Sequence, residues 1–215
     1  MKTNLIKFCG ILLLSVCMTQ PLTAQRQRVQ LSPKEAEAKA AEAKRKSDES
    51  LDQKAASYAE ALRLNDSAKE ARVSAVIATH LKAVRDWHNE NINRVPEGSI
   101  NPTTGQVLTA LDREIIADSG IPKSVRAALL EGLRKDLTEE QIEIIYDQYT
   151  IGKVEFTLNG YKSIVPNLTD KEEAVILENL KKARDQAIDM KNMKAFHIDS
   201  LISRLFKVFK NNGLF

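Results

Sequence analysis

Apolar side chains recur along most of this chain every three to four residues, the rhythm of helices with one buried face. Val73, Val76, Ile77, Leu81, Val84 and Ile92 mark one such face, in a helix expected from a cap at Asn65 or Asp66 to about Ile92. Val125, Leu129 and Leu133 mark another, from about Pro122 to Lys135. Ile142, Ile145, Tyr146 and Tyr149 follow, and then Ile176, Leu177, Leu180, Ala183 and Ala187. The last stripe is Ile198, Leu201, Ile202, Leu205, Phe206 and Phe209, with Arg204, Lys207 and Lys210 outward. Shorter helices are expected around Leu51 to Leu64, with Tyr58, Ala61 and Leu62 for packing, and around Leu108 to Asp118.

Start and stop signals sharpen these elements. Ser32-Pro33-Lys34-Glu35, Thr138-Glu139-Glu140-Gln141 and Thr169-Asp170-Lys171-Glu172 are capping boxes, in which the hydroxyl and the residue three places on satisfy each other's backbone amides. Gly120, Gly152 and Pro166 stop helices, and Pro96, Gly98, Pro102 and Gly105 make residues 93–106 a loop. Residues 25–46 are rich in Ala, Glu and Lys without an apolar stripe, and read as a spacer or frayed helix. One segment breaks the rhythm. Lys153 to Thr157 reads as briefly extended and Phe156 to Val165 as a short helix or turn, with Gly152 and Gly160 close by. The sum is an all-α fold: a single compact domain of about six or seven amphipathic helices over residues 47–215, with a short irregular Gly-containing corner.

The N-terminus adds location. Lys2 and Lys7 precede an apolar run from Phe8 to Met18, and Pro21 to Ala24 supplies a cleavage point, so residues 1–24 read as an export signal. The protein is expected to be periplasmic or secreted; a lipoprotein signal at Cys17 fits less well, because Val16 precedes the cysteine. The run is too short to span a bilayer comfortably, and no transmembrane segment is expected after cleavage. Both cysteines, Cys9 and Cys17, fall inside the leader, so the mature chain has no disulfide and no thiolate chemistry. Of the 32 basic residues, Lys2 and Lys7 also go with the leader, leaving 30 against 29 acidic ones. That balance gives no reason to expect a nucleic-acid partner.

Candidate chemistry concentrates in two places. His80, Trp87, His88 and Asn91 lie on or beside the apolar face of one helix, with Arg85 flanking it and Asn89 next to His88. They are either core groups satisfied by neighbouring helices or the lining of a pocket, in which Trp87 stacks on a sugar and Arg85, His88 or Asn89 bonds its polar groups. The corner contributes Tyr149, Lys153, Tyr161 and Lys162, which either cover a structural joint or offer themselves to a ligand. His80 and His88 stand about 12 Å apart along the helix, too far to share one ion, so no metal site and no cofactor are expected. Paired acids such as Asp112 and Asp118, or Asp185 and Asp189, read as solvated faces. Ser119 and Ser163 stand in no nucleophile motif. Asn167-Leu168-Thr169 matches a glycosylation acceptor, but Thr169 is better explained as a cap.

The motifs as a set resemble a family. His80 to Asn89, Asp112-Arg113, Ala117-Asp118-Ser119, Pro122-Lys123, Leu137-Thr138, Tyr149 to Val154, Gly160-Tyr161, Ile164 to Pro166 and Ala187-Ile188-Asp189 are similar in order to an exported all-helical bacterial family, the domain of unknown function three-eight-two-six. The resemblance covers about residues 47–213 and departs at the C-terminal helix. It implies export, a helical fold and a link to carbohydrate use, since the family is described as sugar-binding.

Three functions remain open. The first is a non-catalytic carbohydrate-binding or accessory protein of polysaccharide use. The second is a helical interaction protein or periplasmic chaperone, because Leu137 to Gln141 is similar to a motif of envelope-stress chaperones. The third is an enzyme acting on a sugar or uronic acid through Arg85, His88, Lys153 and Tyr161. Oligomeric state is not legible.

Overall fold

The computed structural model describes residues 32–191. They form α1 (Pro33–Glu60), α2 (Ser67–Asn91), α3 (Ala110–Asp118), α4 (Lys123–Arg134), α5 (Glu139–Thr150), α6 (Lys153–Ile164) and α7 (Asp170–Ala187). Among the described residues the only extended pairing is a single bridge between Ile100 and Val107 in the loop after α2. The fold is therefore all-α. The expected leader, the start of the spacer and the stripe from Ile198 to Phe209 lie outside the described residues. No described helix is long and apolar enough to cross a membrane.

The chain divides into two units between Ala40 and Ala41. The described part of the first is the exposed start of α1, where the Ser32 hydroxyl and amide both bond the Glu35 carboxylate. Within the second unit α1 continues without the joint expected between Lys46 and Leu51. Ser47 and Asp48, which lie where that joint was expected, accept hydrogen bonds from Arg85 of α2. Lys82 pairs with Asp52 one turn further on. Leu51, Ala55, Tyr58 and Ala59 then meet the core at helical spacing.

Two apolar clusters hold the second unit together. The larger joins Ala55 and Tyr58 of α1, Val73, Ile77 and Leu81 of α2, Leu129 and Leu133 of α4, and Ile142, Ile145 and Tyr149 of α5. Gly132 brings α4 close to α2, for a Cβ at that position would lie 2.7 Å from Val76 Cγ1. The smaller cluster joins Val154 and Leu158 of α6 to Ile176, Leu180 and Ala183 of α7, with Tyr161 packed against it. Arg184 of α7 ties the second cluster to the first. It is 2% exposed, bonds Asp147 and Glu143 of α5, and lies over the Tyr146 ring.

All three expected capping boxes form, at Ser32, Thr138 and Thr169. A fourth, Thr109 with Asp112, starts α3. The stretch Lys153 to Thr157, expected to be extended, is instead the first turn of α6. Its β-branched and aromatic residues favour strand locally, but Val154 and Leu158 are one turn apart and both bury against α7, and that burial decides the conformation. The chain turns the corner at Ile151 and Gly152, both left-handed, with φ of 54° and 64°.

Candidate functional site

The inner face of α2 carries two histidines two turns apart, and each meets an aspartate from a distant part of the chain. His80 is 3% exposed; its Nδ1 lies 3.0 Å from the Tyr149 hydroxyl and its Nε2 3.3 Å from Asp189 Oδ1. A carboxylate can only accept, so Nε2 carries the proton and Nδ1 accepts from the tyrosine. Arg126 of α4 donates to the other oxygen of Asp189 through both Nε, at 2.7 Å, and Nη2. The result is a continuous chain from Tyr149 through His80 and Asp189 to Arg126. Burial pushes the Asp189 carboxyl up, but hydrogen bonds from His80 and Arg126 and the guanidinium charge outweigh it and hold the group below its ordinary value. Burial likewise keeps the Tyr149 phenol well above its ordinary value.

The second pair repeats the scheme on α3. His88 Nδ1–H donates to Asp118 Oδ1 at 2.9 Å, and both residues are at most 4% exposed. Glu114, one turn before Asp118, places a carboxylate oxygen 4.0 Å from the same nitrogen. Trp87 beside it donates from Nε1 to the Ala117 carbonyl at 3.2 Å, and its ring closes on Gly120. Trp87 therefore fastens α2 to the end of α3.

Both aspartates line one cleft of about 430 Å³. Asp118, Ser119 and Ile121 form one side of it, Lys123 and Arg126 of α4 another, and Gln186, Asp189 and Met190 at the end of α7 the third. The lining carries charge of both signs, and its acidic groups are oriented from behind by buried histidines. Asp118 and Asp189, expected on solvated faces, instead form parts of the cleft wall, the first buried and the second largely so, because each has an imidazole from α2 to satisfy it.

The sequence candidates separate. Of the α2 set, His80 and His88 reach behind the cleft. Arg85 turns to the opposite neighbour and binds Ser47, Asp48 and Asp86. Asn89 is exposed and accepts from Lys191. Of the corner set, Tyr149 joins the His80 chain and stacks at a tilt on Tyr58, ring centres 5.3 Å apart. Lys153 is exposed over Phe156, and Tyr161 packs in the α6–α7 cluster. Asp118, Lys123, Arg126 and Asp189 were not among the candidates. The signal that would have found them is indirect: a helix face with two histidines needs two acceptors from elsewhere.

A family model described as a protein of unknown function, DUF3826, matches residues 48–212. The chain belongs to the DUF3826 family. The match takes in all of α2 through α7, so both His–Asp pairs and every residue lining the cleft lie within the DUF3826 region. No curated protein matches the chain.

Proposed function

We propose that this DUF3826 protein is an exported, non-catalytic carbohydrate-binding component of polysaccharide use, and that it takes an acidic sugar in the cleft between α3, α4 and α7. The observation that carries the reading is the lining. Lys123 and Arg126 suit a uronate carboxylate, while Asp118, Asp189, Ser119 and Gln186 suit the hydroxyls of a sugar ring. A volume of about 430 Å³ lies within the ~300–1,000 Å³ of ordinary small-molecule sites. Recognition here runs through charge and hydrogen bonds, since Trp87 is committed to Ala117 and Gly120 rather than offered as a stacking platform.

Calorimetry with galacturonate and glucuronate oligosaccharides tests it. Binding is expected for acidic and not for neutral oligosaccharides, weakened at least about ten-fold by Lys123→Ala and by Arg126→Gln. No binding by a folded protein, or equal affinity in both variants, defeats the proposal. A second reading, a helical interaction protein, draws on the exposed Ile151, Phe156 and Ile164 around α6. Suppression of client aggregation that is lost in Phe156→Ser would favour it. The acid–base set of an enzyme reading is dispersed, with Arg85 of α2 turned to Ser47 and Asp48 of α1, Tyr161 against α7 and Lys153 outside.

A further inference from the structure

We infer that His88, Glu114 and Asp118 form a binding site for one divalent first-row transition-metal ion at the edge of the cleft. Each supplies one donor atom, and the three atoms lie within 4.8 Å of one another. The imidazole nitrogen is 2.9 Å from the Asp118 oxygen and 4.0 Å from the Glu114 oxygen. Donors bound at about 2.0–2.2 Å in tetrahedral geometry sit roughly 3.4 Å apart, so the three straddle the required separation. Glu114, the most exposed of the three, is the donor that must draw closer to close the set. Helix geometry supports the arrangement, because Glu114 and Asp118 are one turn apart on α3 and share the face that meets α2.

Electrostatics points the same way. Two carboxyl groups converge on one imidazole nitrogen in a largely buried spot, a donor set that a doubly charged cation would complement. Binding at Nδ1 requires the proton donated to Asp118 to leave that nitrogen. One nitrogen and two carboxylate oxygens suit zinc, manganese or ferrous iron better than calcium or magnesium, which prefer all-oxygen sets. Three protein ligands leave further coordination positions, as in zinc sites that bind a water or substrate. Asp118 also lines the cleft, so the ion would border the space assigned above to the sugar.

The test is a calorimetric titration of the metal-stripped mature protein with zinc, together with the visible absorption of its cobalt form. The expected result is one zinc per chain, a raised Tm on zinc addition, and no comparable effect of calcium or magnesium. Glu114→Gln, the less buried position, should weaken zinc binding at least about ten-fold and alter the cobalt spectrum, with Asp118→Asn as the second variant. Lys153→Ala, exposed and outside the site, should bind as the wild type does. No zinc uptake by folded protein, zinc uptake unchanged in Glu114→Gln, or uptake lost in Lys153→Ala each overturns the site. Zinc is titrated without sugar, so a failure here leaves the cleft reading standing, and an absence of sugar binding by the folded wild type leaves the metal site standing.

Discussion

The corner between α5 and α6 and the cleft between α3, α4 and α7 make opposite use of unusual residues. The corner packs Gly, Tyr and Lys into the stretch from Tyr149 to Lys162, and the fold then distributes them. Tyr149 goes to the first core, Tyr161 to the second, and Lys153 outward. The cleft gathers ordinary residues from three separate stretches and makes them interdependent through His80 and His88. Local density of odd residues here marks a backbone that must turn left-handed and joints that must be covered. Convergence of groups from far apart in sequence marks the place where chemistry can happen.

The comparison can be broken at Tyr149, the one corner residue linked to the cleft. Tyr149→Ala should cost about 3–5 kcal/mol in urea unfolding, as for a large buried aromatic, and Tyr149→Phe about 1–2 kcal/mol for the hydroxyl alone. A cost near zero for Tyr149→Phe would separate the two regions entirely. On the cleft side, Asp189→Asn should cost about 1–2 kcal/mol at neutral pH.

The Asp189 deficit should depend on pH. The folded carboxyl lies below its ordinary 3.8, so the unfolded chain takes up the proton first as pH falls. The stabilisation is therefore complete above that value and is lost as pH drops through the lowered one. The gap between wild type and Asp189→Asn should narrow over the same window. A gap independent of pH would mean that the His80 and Arg126 partners are not favouring the ionised form.

Smaller effects belong to the corner. Ile151 is a β-branched residue at φ 54° and is 78% exposed. Ile151→Gly should raise stability by about 1 kcal/mol, since the left-handed strain removed exceeds the added freedom of the unfolded chain. A loss of stability would show that Ile151 has a contact worth its conformation. Lys153→Ala should change stability by less than about 0.5 kcal/mol and leave the proposed sugar binding unaltered. Altered binding in that variant would restore the corner as part of a site.

Much of the helical frame was legible in the chain because caps and apolar stripes are local. The boxes at Ser32, Thr138 and Thr169 form as read, while Thr109 escaped notice because its partner is Asp112, one methylene shorter than the usual Glu or Gln. The start of α6 was misread because Val154, Phe156 and Thr157 favour extension until α7 supplies something to bury against. The site was half legible. His80 and His88 show on the inner face of α2, but their partners stand 109 and 30 residues away among 29 acids. No spacing rule picks Asp118 and Asp189 from that number. Tertiary proximity alone distinguishes a buried acceptor from a solvated carboxylate.

Gly132 acquires a further meaning from this layout. It lets α4 lie against Val76 of α2. The same two helices carry Arg126 and His80, which meet at Asp189. Gly132 sits six residues past Arg126, roughly 9 Å along the axis, so the hydrogen atom it has in place of a side chain works as a shim that sets the clearance between the walls. A methyl group there would jack the two helices apart. The aperture of the cleft could thus be retuned by inherited change at a position that never faces what enters it.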